Sequence, residues 1–112
     1  MDYYQIISSN FQATIESIAQ SVDTLAEPIG RASELMVSAL LEDHKIIACG
    51  NGVDAALAQL FACYLTSRFE HERPALPALA LTSDGAGITA IAHTGGLNDI
   101  YLLRVEQLYP WP

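Results

Sequence analysis

Apolar side chains between Asp2 and Leu25 recur at Ile6, Ile7, Phe11, Ile15, Ile18, Ala19, Val22 and Leu25, and no glycine or proline interrupts them. Steps of three and four residues put this set on one face of an amphipathic helix. Pro28 stands where a new helix can start, because its missing N–H is an orphan there in any case. A second apolar series follows at Ile29, Ala32, Leu35, Met36, Val37, Ala39, Leu40 and Leu41 and stops at Glu42-Asp43-His44. The pattern therefore predicts a helical hairpin over residues 1–43. Such a hairpin has more apolar stripe than one small domain can cover. Ile7, Phe11, Ile15, Ile18 and Val22 are accordingly expected to face a second copy of the chain, as half of a helical bundle.

The period then changes. Lys45 to Cys49 is a continuous apolar run too short for a helix, the signature of a strand covered on both faces. Gly50-Asn51-Gly52 forms a turn, and Asp54 to about Glu70 reads as a helix through Ala55, Ala58, Leu60, Phe61, Ala62, Leu65 and Phe69. His71 to Pro77 is a linker, Ala78 to Thr82 a second short strand, and Ser83-Asp84-Gly85-Ala86-Gly87 a second loop. Further helices are expected over Ile88 to Ala92 and Leu97 to Leu108. Residues 44–112 thus read as a β-α-β unit with parallel strands and C-terminal helices, an α/β class. Both loops leave the carboxyl ends of strands, the rim on which open parallel sheets bind ligands. Two strands make a meagre sheet, so the chain is expected to be a fragment, a truncated form, or a protomer completed in an oligomer. Tyr109 and Trp111 are either part of an interface or apolar residues without their usual cover.

The 112 residues allow one domain, and half of them are apolar, so a core is available. A formal charge of −8 argues against direct binding to nucleic acid or an anionic membrane. Neither a signal segment nor an apolar run of about 18 residues occurs, which predicts a cytoplasmic protein. Cys49 and Cys63 match no metal or disulfide spacing and are expected to be reduced core residues. His44, His71 and His93 are scattered, without metal spacing. No metal site or cofactor is predicted from the residues.

Candidate chemistry centres on the first loop, where a glycine turn opening a helix makes an anion cradle. Asp54 stands in that cradle. It is either an N-cap that accepts backbone N–H bonds, the more common role, or a carboxylate that mimics a bound phosphate. Asn51 either contacts a ligand or simply tolerates a left-handed turn. Asp84 is expected to shape its turn, and Tyr64 to pack. Arg68, Glu70, Glu72 and Arg73 are either a partner-facing cluster or a solvated helix end.

The string Cys49-Gly50-Asn51-Gly52, the helix leading to Ser67-Arg68-Phe69-Glu70-His71-Glu72-Arg73-Pro74, and Ala80-Leu81-Thr82-Ser83-Asp84 with Ile88-Thr89-Ala90-Ile91-Ala92 together resemble a sugar-isomerase (SIS) domain. The likeness is to the branch that holds phosphoheptose isomerase and its non-catalytic relative DiaA, the DnaA initiator-associating protein. It implies a flavodoxin-like sheet of about five parallel strands, of which only the front half is present here. It also implies a homo-oligomer, dimer or tetramer, held partly by the N-terminal helices.

Carried over by position, the resemblance implies lost chemistry. A glycine and a substrate-holding serine are replaced by Val53 and Asp54. A metal-ligating histidine and an acid/base glutamate are replaced by Leu60 and Tyr64, and an Asn-Asp pair by His93 and Thr94. Aldose–ketose isomerisation needs a base of suitable pKa over the substrate. Leucine cannot ligate metal, and at ~4–5 Å the Asp54 carboxylate would oppose a phosphate by roughly 3–4 kcal/mol at an effective dielectric of ~20. The resemblance therefore implies no catalytic residues, with Gly50, Asn51, Gly52, Val53, Asp54, Ser83 and Asp84 left as a ligand-loop shell. The expected role is self-association and partner binding, by analogy to a replication initiator protein. The alternative is a sedoheptulose 7-phosphate isomerase, with zinc, completed by further sequence or another subunit.

Overall fold

The computed structural model describes residues 1–108, so Tyr109 and Trp111 lie outside the described residues. The elements run α1 (Tyr3–Leu41), β1 (Ile46–Ala48), α2 (Val53–Thr66), β2 (Ala78–Ala80), α3 (Gly85–Gly95), a 3-10 turn (Leu97–Asp99) and α4 (Ile100–Glu106). Two units are distinguished, Met1–Val37 and the residues from Ser38 onward.

The first unit is a stretch of α1. The predicted hairpin is not formed: one helix of 39 residues continues past Pro28. A proline inside a helix removes one backbone hydrogen bond and crowds the carbonyl four residues back. Here the flanking sequence outweighs that penalty. Thr24-Leu25-Ala26-Glu27 contains no glycine or asparagine to close a turn, and Glu27 is a poor cap, so no hairpin loop competes. Across the proline, Arg31 donates to Glu27 at 2.8 Å, one turn apart. At the start of the helix the Asp2 carboxylate accepts from the Gln5 N–H at 3.1 Å. None of the α1 residues is buried, and Ile7, Phe11, Ile15, Ile18 and Val22 are all exposed.

In the second unit the chain leaves α1 through Asp43, which has a positive φ of 61°, while the His44 N–H bonds the Ala39 carbonyl at 2.9 Å. Aspartate tolerates this left-handed position better than a branched residue would. β1 and β2 then pair in parallel, with Ile46 opposite Ala78, Ile47 opposite Leu79 and Ala48 opposite Ala80. Pro77 O accepts from Ile46 N at 2.9 Å and Ala48 O from Leu81 N at 3.0 Å, which extends the ladder at both ends. The α/β class, the parallel β-α-β unit and the C-terminal helices are as the sequence predicts.

α2 packs on both strands, and α3 packs against the 3-10 turn and α4. Ala58 and Ala62, one turn apart on α2, are buried together with Ala80, Leu81 and Ile100. Small side chains on α2 allow that close approach. The predicted burial of β1 on both faces is not seen: β1 is half-buried throughout, and Leu79 of the neighbouring β2 is exposed. Cys49 and Cys63 are free but exposed, contrary to the expectation of core residues. Cys49 follows the last ladder pair, and Cys63 lies one position past the buried Ala58–Ala62 stripe, which explains both.

α2 ends at Thr66, four residues before the predicted end. Arg73 caps that end, its guanidinium donating to Tyr64 O at 2.7 Å and Leu65 O at 2.9 Å. These are orphan carbonyls of the last turn. Arg73 is therefore committed to capping, while Arg68 pairs with Glu72 at 3.3 Å on the exposed side.

Candidate functional site

Because Ala48 and Ala80 end their strands side by side, the β1–α2 and β2–α3 loops leave the sheet together. The first loop is shaped by its glycines. Gly52 takes φ +58°, a conformation that side chains rarely adopt, and is the N-cap of α2. A Cβ on Gly50 would overlap the Asp54 backbone and come within 2.8 Å of the Asp54 Cβ. The turn folds that tightly onto its helix.

Asp54 is not the N-cap. It lies within the first turn of α2, where its charge complements the helix dipole without a cap bond from the Gly52 position. Part of the supposed anion cradle is also occupied. The Asp54 N–H donates to Asn51 O at 3.0 Å and the Ala55 N–H to Gly52 O at 3.1 Å, so these two donors are spent within the turn. Val53 is 78% exposed.

The second loop is held by its own polar side chains. Ser83 Oγ donates to Ala80 O at 2.8 Å, and Asp84 is the N-cap of α3, accepting from the Gly87 N–H at 3.1 Å. The turn-forming role predicted for Asp84 is thus observed. Arg104 reaches over from α4, donating from Nη2 to Asp84 Oδ2 at 3.2 Å and from Nε to Leu81 O at 3.3 Å. The Gly87 N–H above all, and then the Arg104 charge, hold the Asp84 carboxyl below its ordinary value of 3.8 against some desolvation.

Tyr101, also on α4, directs its hydroxyl to the first loop. It donates to Gly50 O and lies 2.8 Å from Asn51 Oδ1. Sequence reasoning found neither Tyr101 nor Arg104, since their partners are far away along the chain. The one available signal was a phenol and a guanidinium three residues apart on a largely apolar helix.

The positions assigned by resemblance are not assembled into a reactive centre. Leu60 and Tyr64, one turn apart on α2, are 48% and 45% exposed. The Tyr64 ring packs on Phe69, with centroids 4.8 Å apart, but it is exposed rather than the half-buried packing residue expected. His93 and Thr94 lie in the last turn of α3, and the Thr94 hydroxyl turns back to Ala90 O at 3.0 Å. Zinc finds no fit here. Leu60 offers no donor atom, and no group of three or more His, Cys, Asp or Glu among the described residues is placed to hold a metal ion. No helix among them is long and apolar enough to cross a membrane.

Residues 10–110 match the family model of the SIS domain. Over 108 residues the chain is 41% identical to proteins named phosphoheptose isomerase from two strains of Coxiella burnetii, Dugway 5J108-111 and RSA 493 / Nine Mile phase I. Those alignments cover 96% of this chain and 54% of each relative. Among solved structures, a phosphoheptose isomerase from Francisella tularensis matches with a TM-score of 0.89 at 38% identity, over 97% of this chain and 57% of that one. Another, from Neisseria gonorrhoeae, matches with a TM-score of 0.85 at 35% identity, over 95% and 54%. The chain thus spans about half the length of the curated relatives it matches.

Proposed function

The chain belongs to the SIS domain family, and on that premise we propose that it is a non-catalytic member, acting through self-association and the binding of a partner protein. The observation that carries this reading is the α2 face with Leu60 and Tyr64. Isomerising a sugar phosphate moves a proton between adjacent carbons, which demands a poised base. Leucine has none, and a phenol with a reference pKa near 10 is a poor base at neutral pH. Asp54 adds a carboxylate to the helix turn that a phosphate would approach. By analogy with the DiaA branch, the partner is a replication initiator protein in the cytoplasm. The net charge of −8 suits a basic surface on that partner better than nucleic acid or an anionic membrane.

A second reading rests on a specific observation, the name phosphoheptose isomerase on relatives 41% identical to this chain. In that case the chemistry comes from sequence outside these residues or from another subunit, with zinc held there. Two measurements separate the readings. The purified chain is expected to give no turnover of sedoheptulose 7-phosphate with or without added zinc, and to retain DnaA from the same organism in a pull-down. Turnover would sink the first reading, and failure to retain DnaA would remove the partner while leaving self-association standing.

A further inference from the structure

We propose that α4 is a brace that couples the two rim loops, with Tyr101 as the positioning residue for the β1–α2 loop and Arg104 for the β2–α3 loop. A group bound at either loop is then felt at the other. This coupling lies in the mechanics of the loops and operates whether or not the chain turns over a substrate.

Tyr101 and Arg104 are three residues apart, so they project from one side of the helix. The Tyr101 hydroxyl meets Gly50 O and the Asn51 side chain, while the Arg104 guanidinium meets Leu81 O and Asp84. Each grips backbone at the root of a loop as well as a side chain further along it. Ile100, next to Tyr101, is buried, and the Arg104 side chain is only 13% exposed, so the helix that carries both grips is itself anchored. The chemistry at the first grip also orients Asn51. A phenol has one proton to give, so Gly50 O and an amide oxygen cannot both receive it. The arrangement that satisfies every group has Tyr101 donating to Gly50 O and accepting from the Asn51 amide nitrogen, the amide being turned over. Asn51 then presents its oxygen outward. The second grip is close-packed: a Cβ on Gly87 would come within 2.5 Å of Asp84 Oδ2 and 2.8 Å of Arg104 Nη1.

Hydrogen exchange on the full chain, resolved to single amides by NMR, tests the coupling. The reporters are Asp54 and Ala55 in the first turn of α2, bonded back to the first loop, and Gly87 and Ile88 in the first turn of α3, bonded back to Asp84. Tyr101→Phe keeps the ring and removes the hydroxyl. It is expected to speed exchange at all four by one common factor of about fivefold, as one lost hydrogen bond implies. The Leu81 amide in the ladder keeps its rate. Gly87→Ala, which presses on the Asp84–Arg104 pair from the other loop, should speed Asp54 and Ala55 although it touches neither. The Asn51 side-chain amide resonances should move in Tyr101→Phe and stay put in the control Tyr64→Phe. Faster exchange confined to the mutated side, unchanged rates at both loops, or equal acceleration at Leu81 would each overturn the brace.

Discussion

Asp84 shows how one side chain can serve two elements. Its carboxylate caps α3 through the Gly87 N–H and meets Arg104 from α4. Both interactions favour the charged form, so the folded-state pKa lies below the ordinary 3.8. A depressed carboxylate contributes stability above the unfolded value, and that contribution is lost as pH falls through the folded one. Denaturant unfolding is therefore expected to show stability declining as pH drops below 3.8, with the decline smaller in Asp84→Asn. An identical acid profile for the two proteins would show that Asp84 is not part of it. The turn role of Asp84 was legible in the sequence, because capping is local. Arg104 was not, because nothing in local spacing reports a partner twenty positions away. Asp54 was misread for a related reason. An acidic residue after a glycine turn looks like a cap, but the left-handed Gly52 moves the cap position back by two residues.

Among the elements, α1 is where pattern and outcome part. Its apolar spacing was legible, and its break was not. Proline at a first helical position and proline within a helix leave the same local mark, and only the missing turn residues before Pro28 distinguish them. An interior proline costs roughly 3 kcal/mol relative to alanine. Pro28→Ala should therefore raise the helicity and melting temperature of the protein, measured by far-ultraviolet circular dichroism, with a gain of up to about 3 kcal/mol. A loss of stability would mean that the proline fixes a bend on which the assembled protein depends. The parallel strands and α2 were legible because short apolar runs, glycines and an alanine stripe mark them independently. Their exposure was not legible: an apolar run says that cover is wanted, without saying where it comes from.

At the scale of the molecule, the described residues bury little. Among the described residues the core is made of Ala58, Ala62, Ala80, Leu81 and Ile100, while Phe11, Ile15 and Ile18 of α1 are 68%, 59% and 68% exposed. Fully burying such a side chain is worth roughly 1.5–3 kcal/mol. That imbalance supports the proposed self-association through Ile7, Phe11, Ile15, Ile18 and Val22. Light scattering is expected to give a multiple of 12.1 kDa, and Ile15→Glu, which places a charge in the middle of the stripe, should shift the mass toward one copy. A wild-type mass of a single copy would refute the association. The SIS family itself was legible from the loop strings, because they are specific in combination.

The ladder of three residue pairs also acts as a ruler. Side chains alternate along a strand, so the smallest slip that keeps every residue on its own face is two positions. Such a slip would carry one loop along by roughly 6.6 Å relative to the other. Tyr101 could then keep Gly50 only if Arg104 let go of Asp84, or the reverse. Fidelity of alignment between Ile46 and Ala78 is thus inherited by the rim at the opposite end of the strands. A registration error there would be read out as a torn mouth, even with every helix intact.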